Sequence, residues 1–169
     1  GGGYTKLVAD GIFQRVVKAD VESLYPSIML SNQIHPATDT ENSFLPMLEH
    51  LTNRRLEAKT NFQKATTETD RTYWDGLQGS YKILINSFYG YLAYGRANFN
   101  DYDAAGQITT IGQQIAHSMV NTLKDLGAEI IEVDTDGVYF VAPDNITTET
   151  AENALIASIS ATLPKGIHL

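Results

Sequence analysis

The pattern of apolar and polar positions along the chain predicts a mixed order of strands and helices. A strand is predicted over 13–21. A helix is predicted to begin at Ser23, because Ser is a favourable N-cap and Pro26 is tolerated in the first turn. Apolar residues then recur at helical spacing in four longer segments, which cover residues 43–66, 70–91, 104–126 and 148–162. Gly127 is predicted to end the third of these helices, and residues 167–169 are predicted to be strand-like.

Two β-rich runs within residues 128–142 are joined through the dipeptide Asp136-Gly137, and this pattern predicts a β-hairpin. Asp134 and Asp136 then lie at the tip of the hairpin. In regular strand geometry residues two apart share a face, although the turn can redirect one of them. The alternative is that the Asp-Gly pair only makes the turn and that Asp134 is simply solvated.

Asp20 stands near the end of the first predicted strand, just before the helix that begins at Ser23. The free N–H groups of a first helical turn bind phosphate, and a carboxylate beside them can hold a cation. This arrangement predicts a site for a phosphate and a metal ion. The alternative is that an acidic strand end merely caps the helix.

The segments 43–66 and 70–91 are predicted to form an antiparallel helical hairpin, because only a short polar break separates them. The predicted buried stripe of the second helix consists of Trp74, Leu77, Tyr81, Leu84, Ile85 and Phe88. A separate polar stripe consists of Arg71, Gln78, Lys82, Asn86 and Tyr89. Arg55 and Lys59 share a face of the first helix, so that they and Lys82 can form the cationic patch that a triphosphate requires. The alternative for the Arg55 and Lys59 pair is a solvated helix face.

Composition narrows the class of protein. The 169 residues are 43% hydrophobic and 19% charged, as in an ordinary globular chain of one or two domains. The chain has no cysteine, which excludes disulfides and thiolate metal sites. No membrane span or signal peptide is found, so a cytoplasmic or nucleoid-associated location away from membranes is expected. The net charge of −8 argues against a strongly basic nucleic-acid surface.

Three separated stretches resemble the polymerase motifs of family B DNA polymerases, in the same order and at similar spacing. Asp20–Ile28 (DVESLYPSI) resembles the motif DxxSLYPSI, and Lys82–Gly90 (KILINSFYG) resembles KxxxNSxYG. Asp134–Asp136 (DTD) is similar to the third motif, which lies on a hairpin in that family. Arg55 and Lys59 also match the R-x-x-x-K pattern of the first fingers helix.

The resemblance implies a two-metal centre for nucleotidyl transfer, with two Mg²⁺ ions for which Mn²⁺ can substitute. Asp20 and Asp136 are implied as bridging metal ligands, and the backbone carbonyl of Val21 is implied as a ligand of the second metal. Asp134 is implied beside them as a further catalytic carboxylate. Carboxylate oxygens suit this role because Mg²⁺ prefers hard oxygen ligands.

The resemblance also implies a set of nucleotide-binding residues, namely Ser23, Leu24, Tyr25, Arg55, Lys59, Lys82, Asn86 and Tyr89. The N–H groups of Ser23 and Leu24 are expected to meet the triphosphate, and Tyr25 is expected to exclude a 2′-OH. The three cations are expected to hold the β- and γ-phosphates. Lys82 is also expected to protonate the pyrophosphate leaving group, which makes it a catalytic residue. The amide of Asn86 and the ring of Tyr89 are expected to line the base-pair pocket.

The fold that the resemblance implies is an α+β palm, with an antiparallel sheet and packed helices, joined to a helical-hairpin fingers subdomain. The expected boundaries are 1–36 for the first part of the palm, 37–91 for the fingers and 92–169 for the second part of the palm. The expected partners are primer-template DNA, deoxynucleoside triphosphates, and the thumb and exonuclease domains of a longer parent chain. A thumb that supplies most backbone contacts to DNA would reconcile the negative charge with DNA binding.

The expected function is therefore template-directed addition of deoxynucleotides to a primer 3′-OH by a DNA polymerase core fragment, weak or inactive by itself. The alternative is a non-catalytic polymerase homologue that serves as a scaffold or DNA-binding module. Two positions depart from the family pattern: Glu132 stands where Tyr is usual, and Gly137 stands where Ser is usual. Because neither change removes a metal ligand, altered handling of the primer is expected rather than loss of chemistry.

Overall fold

The computed structural model of the chain describes residues 3–8, 12–94 and 100–169, with side chains described from residue 15 onward. In these ranges the chain order of strands and helices is β1 (Gly3–Val8), β2 (Ile12–Asp20), α1 (Leu24–Asn32), α2 (Phe44–Lys64), α3 (Glu68–Ala93), α4 (Tyr102–Asp125), β3 (Glu129–Asp134), β4 (Gly137–Val141) and α5 (Glu149–Ala161). Helices combined with one small antiparallel sheet confirm the predicted α+β class.

The chain divides into two compact units. The sheet unit comprises Gly1–Leu24 and Thr110–Leu169, and the helical unit comprises Tyr25–Thr109. The proposed boundaries of palm and fingers stay predictions. Within the described ranges, no helix combines the length and the hydropathy of a transmembrane span.

The sheet of the sheet unit has the strand order β1-β2-β4-β3, and each neighbouring pair is antiparallel. The predicted strand over 13–21 is found as β2. The predicted hairpin is found as β3 and β4, which are joined by the two residues Thr135 and Asp136. Strand β1 was not predicted, because its short GYTKLV sequence lacks a clear alternation.

The core of the sheet unit is formed by buried apolar side chains of β2, β4, α4 and α5, among them Val16, Val17, Ala19, Val138, Phe140, Ile115, Met119, Leu123 and Ile159. An ion pair joins β2 to α5. The Nε of Arg15 lies 2.7 Å from Oε1 of Glu152, and the Glu152 side chain is only 11% exposed. This ion pair links one face of β2 to α5.

The helical unit contains the predicted helical hairpin. Helices α2 and α3 pack along one another and are joined by residues 65–67. At one end the Arg71 guanidinium lies 4.7 Å from the centre of the Phe62 ring. At the other end the rings of Phe44 and Phe88 meet edge to face at 5.0 Å. Since contacts pair the start of one helix with the end of the other, the two helices are antiparallel.

The predicted buried stripe of α3 is correct only in part. Ile85 and Phe88 are buried, and so is Leu92 farther along the helix. Leu84 is 47% exposed, so its assignment to the buried stripe was wrong. Because a pair of helices buries only a narrow seam, a residue at the margin of the apolar stripe stays in contact with solvent.

Some of the predicted ends of helices and strands differ from those in the structure. Ser23 is not a side-chain N-cap: its φ is +45°, and its Oγ is buried with no hydrogen-bond partner among the described residues. Helix α1 begins at Leu24, with Pro26 in its first turn as expected. Gly127 ends α4 with a φ of +90°, the left-handed conformation expected of a C-terminal glycine. Residues 167–169 do not form a strand; instead the Glu22 N–H donates to the carbonyl of His168.

Candidate catalytic carboxylate cluster

Backbone pairing brings the end of β2 to the tip of the β3–β4 hairpin. Asp20 and Asp134 both stand opposite Gly137, one on each side of β4. The N–H of Val21 also donates to the carbonyl oxygen of Asp136 at 2.8 Å. Residues that stand opposite each other on neighbouring strands share a face of the sheet. Two carboxylates from separated motifs therefore lie on one face, and Asp136 lies at the adjoining turn.

The three carboxylates surround one ammonium group. The Nζ of Lys18 lies 3.4 Å from Oδ1 of Asp20, 3.7 Å from Oδ2 of Asp134 and 3.5 Å from Oδ1 of Asp136. Asp20, Asp134 and Asp136 are called the carboxylate cluster from here on. Their side chains are 39–52% exposed, whereas that of Lys18 is 22% exposed. Solvent and ions thus have access to the cluster.

The charge of Lys18 is stabilised by its surroundings. Burial lowers the pKa of the Lys18 ammonium, but the carboxylates of Asp136 and Asp20 together raise that pKa by more, so that it lies above its ordinary value. The Nζ also lies 5.1 Å from the centre of the Tyr139 ring, within the range of a cation–π contact. Lys18 is therefore a permanent cation among three acids.

Gly137 allows β2 and β4 to approach closely at this position. A Cβ atom at residue 137 would lie 2.6 Å from the carbonyl oxygen of Ala19 and 3.0 Å from Cε of Lys18. The first contact involves backbone, which cannot turn away as a side chain can. Close packing of β2 against β4 therefore requires a residue without a side chain at position 137.

The donor chemistry of the carboxylate cluster suits a hard divalent cation, since it consists of carboxylate oxygens with the backbone of Val21 beside them. The arrangement is wider than a formed metal site. Mg²⁺ binds oxygen at about 2.0–2.1 Å, whereas the cluster oxygens lie 3.4–3.7 Å from the Lys18 nitrogen. Within the described ranges no three Asp, Glu, His or Cys side chains are arranged as a closed metal site.

The predicted phosphate-binding turn follows Asp20 directly in sequence. Ser23 adopts the left-handed conformation at φ +45°, which costs a non-glycine residue roughly 1–2 kcal/mol. The Glu22 N–H is held by the carbonyl of His168. Strain held at one residue by well-bonded neighbours is frequent at ligand sites. The N–H groups of Ser23 and Leu24 stay the predicted phosphate donors.

The helical unit carries the remaining predicted residues. The rings of Tyr25 and Tyr89, from two different motifs, pack with centres 4.4 Å apart. Arg55 and Lys59 are half-buried on one face of α2, and the Arg55 Nε is buried. On α3 the side chains of Lys82 and Asn86 are exposed. The convergence of the three cations on one phosphate stays a prediction.

Lys18 was missed by sequence reasoning, although a signal for it existed. It precedes Asp20 by two residues in a predicted strand, so that alternation alone places both side chains on one face. The cross-strand neighbours that complete the site are brought there by the pairing of β2 with β4. These two strands are more than 100 residues apart in sequence. Local patterns do not specify such pairing.

Comparison with known proteins gives consistent results. A family model described as DNA polymerase family B matches residues 36–150. The chain is 29% identical to DNA polymerase 1 of Pyrococcus abyssi over 191 residues, which cover 99% of this chain and 25% of the relative. It is 31% identical to DNA polymerase II of Escherichia coli over 150 residues, which cover 82% of this chain and 19% of the relative.

A solved structure of the family B DNA polymerase from Pyrobaculum calidifontis shares the fold, with a TM-score of 0.68 at 21% identity. The match covers 99% of this chain and 24% of the solved chain. The chain thus spans about a quarter or less of the length of these relatives.

Proposed function

The chain belongs to DNA polymerase family B, and we propose that it is a catalytic core for template-directed DNA synthesis. The proposed reaction adds deoxynucleotides to a primer 3′-OH. The observation that carries the proposal is the carboxylate cluster, in which Asp20 of the first motif meets the Asp134 and Asp136 of the third around one cation.

We propose that Asp20, Asp136 and the backbone carbonyl of Val21 hold two Mg²⁺ ions, with Asp134 beside them. When bound, the two ions would lower the pKa of the primer hydroxyl and stabilise charge on the transferred phosphate and its leaving group. The accessibility of the cluster supports this proposal, since its side chains are 39–52% exposed and therefore open to ions from solvent.

The proposed nucleotide contacts come from α1 and from the helical hairpin. The strained backbone at Ser23 supports a role for the Ser23 and Leu24 N–H groups in holding phosphate. The contact between Tyr25 and Tyr89 supports their assignment to one surface for the sugar and the base. In this proposal Arg55 and Lys59 bind the outer phosphates, while Asn86 lines the base-pair pocket.

Lys82 is proposed to bind phosphate and to protonate the pyrophosphate as it leaves. Its side chain is exposed on α3 and so is accessible to a ligand. The palm is proposed to consist of 1–36 and 92–169, and the fingers of 37–91. Primer-template DNA is the proposed partner, and weak binding is expected because the chain carries a net charge of −8.

Incorporation of one nucleotide on a short primer-template tests the proposal. The wild-type chain with Mn²⁺ is expected to add, at a low rate, the deoxynucleotide that matches the template. Asp20→Asn and Asp136→Asn are expected to lower the rate by at least about 100-fold, because each removes a charge that must hold a metal. Asp125→Asn, at the exposed end of α4, is the matched control and should leave the rate unchanged.

A different result would contradict the proposal of a catalytic core. A wild-type chain that binds the duplex but adds no nucleotide, with DNA affinity unaffected by Asp20→Asn and by Mn²⁺, would favour the non-catalytic scaffold instead.

A further inference from the structure

Lys18 lies at the centre of the carboxylate cluster, and the proposed function gives it no role. It donates to no ligand in the proposed reaction, yet its Nζ lies within 3.7 Å of an oxygen from each of the three acids. We infer that Lys18 is an internal counter-ion that stabilises the metal-free carboxylate cluster and competes with the divalent cation for it. This inference rests on the proposed metal site and adds a residue that sets the affinity of that site.

Geometry makes the competition direct. A divalent ion bound to Asp20 and Asp136 must approach their oxygens to about 2.1 Å. The Lys18 ammonium now lies 3.4 and 3.5 Å from oxygens of these same two side chains. An ammonium and a divalent ion cannot share this space, because their like charges would then be only a few ångströms apart. Binding of the ion therefore requires that Lys18 move away.

Lys18 is held in place by its neighbours. Its stem passes over Gly137, where even a Cβ would lie 3.0 Å from its Cε. Its Nζ lies over the ring of Tyr139, the residue opposite it on β4. The Lys18 side chain is 22% exposed, less than any of the three acids. A lysine that merely extended into solvent would have none of these contacts.

Charge gives the direction of the effect. With Lys18 in place, the lysine and the three carboxylates together carry a net charge of −2. Without the lysine the charge is −3, so the metal-free cluster is less stable and its attraction for a cation is greater. Removal of the Lys18 charge should therefore tighten metal binding and weaken the metal-free fold.

The test is a titration of the whole chain with Mn²⁺, in which electron paramagnetic resonance measures the free ion. Lys18→Met keeps the length of the stem and removes the charge, and is expected to bind Mn²⁺ on the order of tenfold more tightly than wild type. Lys18→Gln is a second neutral variant in case Met disturbs folding. Lys18→Arg keeps the charge and should bind nearly as wild type does. Lys124→Met, on the exposed surface of α4, is the matched control and should not change the affinity.

A second readout separates a counter-ion from a residue that matters only for packing. Thermal unfolding without metal should show Lys18→Met and Lys18→Gln to be less stable than wild type, and saturating Mn²⁺ should raise their Tm by more than it raises that of wild type. A packing defect would lower the Tm by the same amount with and without the ion.

The two proposals fail in different ways. If Asp136→Asn abolishes Mn²⁺ binding but both neutral Lys18 variants bind as wild type does or more weakly, the counter-ion inference is overturned and the metal site stands. If no chain binds Mn²⁺ in a manner that depends on Asp136, the proposed metal site is itself wrong, and the inference fails with it.

Discussion

At the scale of single residues, the carboxylate cluster depends on the missing side chain of Gly137 and on the positive charge of Lys18. Gly137 lets the backbones of β2 and β4 approach, and Lys18 uses the resulting space to reach the three acids. Gly137 stands where the family usually has Ser, so the structure supplies a steric reason for that departure. Glu132 is exposed on the edge strand β3, and its effect on the primer stays a prediction.

Gly137→Ser is expected to lower the free energy of unfolding by about 1–3 kcal/mol, the usual cost of overpacking a close contact. The physical reason is the 2.6 Å approach of the new Cβ to the carbonyl oxygen of Ala19. Urea unfolding monitored by circular dichroism measures the change. Gly106→Ala is the control: it has open space around its Cβ within α4 and should stabilise the chain by roughly 0.5–1 kcal/mol. Equal effects of the two substitutions would contradict the close approach at Gly137.

At the scale of helices and strands, two aspartates that no sequence pattern singled out hold helix starts in the helical unit. Asp39 accepts from the N–H groups of Ser43 and Phe44 at the start of α2. Asp101 accepts from the N–H of Ala104 at the start of α4 and from the N–H of Ala37. These bonds lower the pKa of each carboxyl below its ordinary value. Both were missed because neither stands directly before the helix starts that periodicity predicted, at residues 43 and 104.

Asp101→Ala is expected to lower the free energy of unfolding by about 1 kcal/mol at neutral pH, the usual cost of a lost N-cap. Because the folded chain lowers the pKa of Asp101, its contribution is fully present above the ordinary value of 3.8 and is lost as the pH falls through the folded value. The difference between wild type and variant should therefore shrink in acid. Urea unfolding at a series of pH values measures it.

The neighbouring Asp103 supplies the control, since it lies in the first turn of α4 with an exposed side chain. Asp103→Ala should cost only a few tenths of a kcal/mol, as expected for a charge that acts on the helix dipole alone. A loss for Asp101→Ala that stayed constant from neutral pH to strong acid would show that the ionised carboxylate is not what caps α4.

At the scale of the whole molecule, the sequence predicted most of the helices and strands, and its motifs singled out the three acids that form the carboxylate cluster. The helical hairpin and the β3–β4 hairpin follow from local periodicity and turn residues, which act within a few positions of the chain. The three acids were identified because short motifs carried them. Lys18, by contrast, acquires its role only when β2 pairs with β4, and Leu84 stays exposed because a helix pair has a narrow seam.

The proposed function requires the carboxylate cluster to be a metal site for nucleotidyl transfer. The most direct test is an anomalous-scattering map from crystals of the chain soaked with Mn²⁺ and a deoxynucleoside triphosphate. The expected result is manganese bound to Asp20 and Asp136, with the Lys18 ammonium displaced and phosphate against the N–H groups of Ser23 and Leu24. Well-ordered carboxylates that still surround Lys18, with neither manganese nor nucleotide bound, would contradict the claim and favour a non-catalytic homologue.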